Sequence, residues 1–422
     1  MSFRATFTVF LIALLPVAAA AQSRPDPGAA QAPAPAPQPV ASAGENGFVI
    51  QSANGDFQLR VGVLAHLDGR FAPGDDSDAV INTFAVRRLR TPLRGRIARR
   101  FEFYVNPDFA GGVVVVQDAY LDTVFSPAFR VRLGKAKTPF GLERLQSVST
   151  ILFFERALPS ALVPNRDVGV QVLGDLARGS VSYMAGVLNG VPDGGSADVD
   201  TNDSKDVAGR IVVRPFNARA ATDPLDGLGL GFAATTGMQS GAAALALLRT
   251  SSLLQPFFSY AAAVADGRRT RYSPQAFYSY KNVAGFAEYV HTRVPVRKGA
   301  IREEIAHRAW QVAGSIVVTG EHPDAGGGVR PRANFNFGGG NWGAMQIGAR
   351  YHRLRVDDAA RTAGFAAAGS SVDAEAWTAG VNWFLTPNLR YVVNVERTIF
   401  DQGAAGARPA ENALVFRSQL SF

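Results

Sequence analysis

From about Gly47 onward, apolar and polar side chains alternate in short runs separated by turn-forming clusters. Phe101, Phe103, Val105 and Phe109 interleave with Glu102, Tyr104, Asn106 and Asp108. Phe129, Val131 and Leu133 interleave with Arg130 and Arg132, and Tyr391, Val393 and Val395 with Arg390, Asn394 and Glu396. Successive side chains of a strand point to opposite faces, so each run offers one apolar and one polar face. The last nine residues repeat the pattern. Leu414, Phe416, Ser418, Leu420 and Phe422 share one face, and Val415, Arg417, Gln419 and Ser421 the other. The chain is predicted to be all-β. A soluble sandwich would alternate in the same way, so the choice between a sandwich and a barrel in lipid rests on other features.

Thr386-Pro387-Asn388 joins two runs compactly, whereas Gly190–Lys205 and Glu321–Arg332 are long and rich in Gly and Asp. This predicts short turns on one rim and long loops on the other, the arrangement of a transmembrane barrel. Arg4, the apolar run Val9–Leu15 and the small residues Ala19-Ala20-Ala21 form an export signal, predicting removal of residues 1–21. That run is too short to span a bilayer, which takes roughly 20 residues. No later stretch is long and apolar enough either, yet hydrophobic residues make up 47% of the chain, with 28 Phe and 43 Gly. A barrel reconciles the two, because its apolar residues are spread one in two along many strands. Residues 22–46, with the Ala-Pro repeat Ala32–Pro37, read as a linker that builds no core. Residues 47–422 then supply about 16 antiparallel strands. A chain that stops on an aromatic residue inside such a strand resembles the closing strand of a bacterial outer-membrane β-barrel. The chain has no Cys, so neither disulfides nor thiolate chemistry enter.

Lys and Arg number 43 against 35 Asp and Glu, a formal charge of +8. A basic balance suits nucleic acid, anionic lipid or small anions. With no Lys/Arg-rich tail and an export signal in front, the expected partners are small inorganic anions and the outer-membrane lipid, with no nucleic acid. The placement of charge then decides. In Phe84–Ile97, Arg88, Arg90, Arg94 and Arg96 share one strand parity, and Leu89, Thr91, Leu93 and Ile97 the other. An arginine facing lipid at mid-depth costs about 2–4 kcal/mol, so the column is expected to face the lumen. Guanidinium offers a fork of donors suited to phosphate and carboxylate oxygens. Steps of two residues rise roughly 6.6–6.8 Å, close enough to pass an anion along. The alternative is a structural wall, with these arginines paired to Glu102, Asp108, Asp118 or Asp122 on neighbouring strands.

About thirty residues separate the strand ending near Gly134 from the one starting near Asp167, far beyond hairpin length. Phe140, Leu142, Leu145, Ile151, Leu152, Phe153 and Phe154 need burial, so the segment is expected to fold back into the barrel and narrow it. From Lys135 through Asp167 it carries Lys135, Lys137, Arg144, Arg156 and Arg166 against Glu143, Glu155 and Asp167. Packing over the rim, with the Glu-Arg neighbours as structural ion pairs, is the other possibility.

The stretches Phe84–Arg90, Phe101–Gly112, Gln117–Asp122, Leu133–Gly169 and Val207–Phe216, with the terminal Phe422, resemble the phosphate-selective porin O and P family of outer-membrane anion channels. The resemblance implies a trimer of 16-stranded barrels. Its inward third loop would form the constriction, and pore-lining arginines and lysines would conduct phosphate, polyphosphate or other anions. On this chain it places Lys135, Lys137, Arg144, Arg156 and Arg166 on the constriction segment and Arg88, Arg90, Arg94 and Arg96 on the ladder strand. The expected function is a passive anion channel. Its rivals are a general diffusion porin whose arginines are mostly ion-paired and a non-conducting structural or adhesion barrel. An enzyme is not expected, since His66, His291, His307, His322 and His352 are scattered and no G-x-S-x-G elbow occurs. No cofactor or metal is expected. Asp198-Val199-Asp200-Thr201-Asn202 begins like a calcium loop, but Asp203 and Gly209 stand where the turn glycine and bidentate glutamate belong. Gly227–Gly231 reads as a small-residue strand, and Gly241–Ala246 and Phe365–Ser371 as loop filler.

Overall fold

The alternating runs pair into one antiparallel sheet that closes on itself. A computed structural model describes residues 38–74, 81–200, 202–217, 223–403 and 406–422. The expected export signal and most of the Ala/Pro stretch lie outside the described residues. β1 (Val40–Gly44) and β2 (Gly47–Gln51) form a hairpin that adds to β3 (Gln58–Val61). The hairpin thus begins inside the stretch that reads as linker.

β3 and β4 (Leu64–Phe71) are two halves of the first barrel strand. β5 (Thr83–Arg90) and β6 (Leu93–Ile97) are two halves of the second, interrupted at Thr91-Pro92, where proline has no N–H for the ladder. There follow β7 (Phe101–Asp108), β8 (Val115–Ser126), β9 (Phe129–Lys137), β10 (Arg166–Leu176), β11 (Val181–Leu188), β12 (Asp206–Val213) and β13 (Gly229–Gly241). β14 (Leu248–Arg249) and β15 (Pro256–Phe258) pair only with each other. The wall resumes with β16 (Val264–Tyr280), β17 (Val283–Lys298), β18 (Ile301–Val317), β19 (Ala344–Arg355), β20 (Asp373–Phe384) and β21 (Leu389–Phe400). After the isolated pair β22 (Gln402–Gly403) and β23 (Gly406–Ala407) comes the last strand, β24 (Glu411–Ser421). It pairs with β21 on one side and β4 on the other, Leu414 opposite Phe71 and Ser421 opposite Leu64. The main sheet has twenty strands. Two form the N-terminal hairpin and two pairs of halves each count once, which leaves a closed barrel of 16.

Burial follows parity. In β24, Leu414, Phe416 and Leu420 are 38–41% exposed on the outer wall, while Val415, Arg417 and Gln419 are buried inside. Tyr289, Trp310, Tyr351 and Trp377 likewise face outward, with the Trp310 and Trp377 rings each in tilted contact with Tyr351.

The connections 98–100, 127–128, 177–180, 214–228, 281–282, 318–343 and 385–388 share the rim that carries the N-terminal hairpin and Phe422. The expectation that long loops keep to the opposite rim fails for Glu321–Arg332. This segment lies on the same rim as Thr386-Pro387-Asn388, because β18 runs toward that rim. Val317 N–H donates to the Asn282 carbonyl at 2.8 Å and Phe335 N–H to the Leu385 carbonyl at 2.6 Å. On the opposite rim, β17 and β18 meet through only Gly299-Ala300. Length reports how much a loop has to fill, not which rim it leaves from.

Within the barrel, residues 138–165 cross the lumen. Phe140, Leu158, Leu162 and Val163 pack with Val290, Val294, Ile305 and Leu354 of the wall and with Phe257, Phe258 and Phe365 of inward-folded loops. Phe365, read from sequence as filler, is fully buried here. Among the described residues the only α-helix is the single turn Ala359–Thr362.

Candidate functional site

The crossing loop has apolar residues that need burial and backbone groups that need partners, and the inward faces of distant strands supply both. Asn394 Oδ1 accepts the Phe154 N–H at 2.6 Å, and Glu288 Oε1 accepts the Leu142 N–H at 2.6 Å. Asn382, Arg390 and Gln419 donate to the carbonyls of Leu152, Ile151 and Ser149 at 2.8, 3.1 and 2.8 Å. Two guanidiniums lie over successive aromatic residues of the loop: Arg350 over Phe153 at 4.5 Å and Arg417 over Phe154 at 4.3 Å.

At the centre is Glu155. Its carboxylate takes Arg88 at 2.9 Å, Arg87 at 3.0 Å, and Arg70 and Arg417 at 3.4 Å each. Arg417 is itself fixed by Asp68 at 2.7 and 2.8 Å. Arg87 and Arg88 reach the same carboxylate because β5 is bulged. His66 pairs with Arg88 and Leu67 with Val86, which leaves Arg87 as the extra residue. Burial alone would raise the Glu155 carboxyl, but Arg88, Arg87 and Arg417 outweigh it and hold it well below the ordinary carboxylate range.

The other arginines of the ladder go separate ways. Arg90 Nε is bound to Asp108 at 2.7 Å. Arg94 faces the open lumen with its guanidinium 5.0 Å from the Tyr104 ring. Arg96 lies opposite Gln58 and Glu102, donates to the Gly55 carbonyl at 3.4 Å and keeps a buried Nε without a partner. On the constriction segment, Lys137 Nζ donates to the carbonyls of Leu145 and Gln146 at 3.0 and 2.8 Å. Arg144 donates to the Ser160 carbonyl, and Arg156 to the carbonyls of Glu143 and Gln146 at 2.9 and 2.8 Å. Arg166 reaches Asp118 at 3.2 Å. Among the described residues, Lys137, Arg144 and Arg156 form no ion pair with a carboxylate. Burial, with Arg166 beside it, pushes Arg144 down to about 10, so it stays charged at neutral pH.

Lys135 does not join them. It stands opposite Ala119 and Val168, and its Nζ runs to the Val116 carbonyl at 2.8 Å and to Asp198 of the 189–205 loop. Gly134, at φ 122° and paired with Gly169, turns the strand at that point and ends the simple parity. Asp198 and Asp200 are thus tied to cations, to Lys135 and Lys205. Among the described residues no group of three or more His, Cys, Asp or Glu is placed to hold a metal.

Between the crossing loop and the rim of the chain ends lies a cavity of about 1210 Å³. Arg60, Arg90, Arg94, Arg132, Lys137, Arg166, Arg210, Arg214, Arg330 and Arg390 line it, against Glu45, Asp118, Asp226 and Asp324. Ten cations face four carboxylates, and Asp108 and Asp122 behind the lining neutralise Arg90 and Arg132, so the walls keep a net positive charge. Parity in the sequence places Arg132, Arg390 and Arg417 inside. Nothing in the sequence pointed to Arg330, which comes from the 318–343 loop, or to Glu155 as the carboxylate that locks the crossing loop.

Residues 57–422 match the family model for phosphate-selective porin O and P. Among solved structures, the outer membrane channel DcaP of Acinetobacter baumannii superposes with a TM-score of 0.55 at 12% identity, over 88% of this chain and 99% of that one. OmpT of Vibrio cholerae gives 0.53 at 10% identity, over 87% and 98%. OmpF of Salmonella typhi, solved in complex with daunomycin, gives 0.53 at 11% identity, over 87% and 99%. At such identities the likeness carries the fold alone. No curated protein matches the sequence. The family model spans nearly all of the barrel, and the chain belongs to the phosphate-selective porin O and P family, channels of the bacterial outer membrane.

Proposed function

We propose that this channel prefers small inorganic anions, phosphate and polyphosphate among them. The observation that carries the reading is the excess of cations lining the lumen, ten against four carboxylates of the lining and the two, Asp108 and Asp122, that pair with Arg90 and Arg132 from behind it. A positive, low-dielectric funnel raises the local anion concentration. The crossing loop sets the size limit, and Lys137 and Arg166 stand between it and the cavity. Weak sites distributed along the wall let an anion leave as readily as it enters. No covalent step or cofactor is involved.

The pairing of Arg88, Arg90 and Arg166 with carboxylates favours a second reading, a general diffusion porin of weak selectivity. Reversal potentials across a planar bilayer under a KCl gradient separate the possibilities. Anion preference is expected, with chloride current falling as phosphate is added. Cation preference would overturn the proposal, and anion preference without phosphate block would leave the general pore. We further infer cleavage after residue 21, a tethering role for the Ala/Pro segment, and a homotrimer in the membrane. N-terminal sequencing and native mass measurement test these.

A further inference from the structure

Across the wall of the cavity, four side chains stand in one row. Arg60 of β3 pairs with Arg94 of β6, Arg94 with Tyr104 of β7, and Tyr104 with Tyr120 of β8. All four line the cavity. Directly opposed residues of antiparallel strands lie about 5 Å apart at Cα. Like charges directly opposite each other destabilise a sheet. Yet among the described residues neither the Arg60 nor the Arg94 side chain has an ion pair or hydrogen bond, and Arg94 has only the Tyr104 ring beneath it. Arg132, at the far end of the row, is neutralised by Asp122 at 2.8 Å and covers one face of Tyr120 at 3.9 Å. The row therefore runs from two uncompensated guanidiniums to two neighbouring rings, 5.5 Å apart between centroids and tilted by 52°.

We propose that this row is a binding site for an aromatic carboxylate. The carboxylate oxygens bridge Arg60 and Arg94, where a fork of guanidinium donors fits them. The ring of the ligand lies along Tyr104 and Tyr120, which offer an apolar, stackable surface. Inorganic phosphate uses only the first half of this arrangement. The cavity, at about 1210 Å³, exceeds the usual 300–1,000 Å³ range of small-molecule clefts, so an organic body has room. Asp118, Asp122, Glu45 and Asp226 are the nearby acids of the wall and rim. The first two are bound to Arg166 and Arg132 and the third to Arg330, so none of these three compensates Arg60 or Arg94.

The inference rests on the anion-channel reading and narrows its substrate class. In planar bilayers, current carried by chloride is titrated with acetate, benzoate and inorganic phosphate in turn. Benzoate is expected to block about fivefold more tightly than acetate, the worth of one ring contact. Tyr104→Leu is expected to erase that difference, so that benzoate and acetate block equally within the variant. Arg94→Gln is expected to weaken benzoate and acetate together. Equal block by acetate and benzoate in a channel that still prefers anions would overturn the aromatic site alone. An unchanged benzoate preference in Tyr104→Leu would overturn it too. Cation preference in the wild type would instead overturn the anion-channel reading beneath it. Far-UV circular dichroism and heat-shifted gel mobility of each variant keep misfolding apart from loss of binding.

Discussion

Glu155 is a carboxylate that four guanidiniums share, and what it holds is a loop. Removing one partner of a buried ion pair typically costs about 3–5 kcal/mol, because the remaining charges keep their desolvation and lose their compensation. Glu155→Gln is therefore expected to free the 138–165 segment from the β4–β5 wall. Limited proteolysis should then cut within the segment, and the melting temperature should fall. The same group sets an acid limit. Its folded pKa lies below the unfolded value of about 4.3, so its stabilisation is complete above that pH and fades as pH falls through the lower folded value. Proteolytic protection of the loop should persist at pH 4 and disappear only in stronger acid. Loss of protection between pH 5 and 4 would exclude Glu155 as the lock. None of this was legible in the sequence. The alternation placed Arg88 and Arg417 inside, but the partner they share comes from a loop at residue 155, far from both along the chain. Pairing of Arg90 with Asp108 was foreseeable, since both lie on adjacent strands at matching parity.

At the scale of elements, what the alternation makes legible is the wall, and what it leaves hidden is how the wall bends and where its connections go. The turn at 98–100 has Ala98 and Arg99 at φ 49° and 61°, positions that Asn or Gly would have announced. The barrel departs from simple pleating where the crossing loop leaves it. Gly134 pairs with Gly169, and a Cβ on either would stand 2.3 or 2.2 Å from a backbone carbonyl of the next strand. Gly134→Val is therefore expected to abolish the folded, heat-modifiable form on gels, whereas Gly111→Val, in open space in the 109–114 loop, should retain it despite its left-handed backbone. The 318–343 loop meets the crossing loop from the other side. Gly327, at φ 98°, leaves room for Leu152, which a Cβ would approach to 2.8 Å. Two segments that enter from opposite rims thus brace each other in the lumen. Deleting residues 325–329 should raise single-channel conductance while the barrel spectrum stays unchanged. Equal conductance would mean that the 318–343 loop only caps the rim.

For the whole molecule, a formal charge of +8 says little, because charge on the outer wall and charge in the lumen enter it alike. The lumen is where the excess matters. Lys137 is a useful probe there, since it lines the cavity, sits where the loop leaves the wall and binds only carbonyl oxygens. A unit charge acting on an ion about 4 Å away across water contributes about 1 kcal/mol, and more where the walls exclude water. Lys137→Gln is expected to lower the anion-to-cation permeability ratio by up to about fivefold at low salt, the full effect belonging to the charged ammonium. The effect should shrink as ionic strength rises, because screening shortens from about 30 Å at 0.01 M to about 3 Å at 1 M. Paired charges behave differently: Arg90→Gln removes a cation already neutralised by Asp108, and exposes that carboxylate to the lumen. Its selectivity loss should therefore match or exceed that of Lys137→Gln, and restoring balance with Asp108→Asn in the same chain should recover most of it. Reversal potentials of these three variants across a salt series distinguish a lumen that selects by its unpaired cations from one that selects by size alone, for which all three would superpose on the wild type.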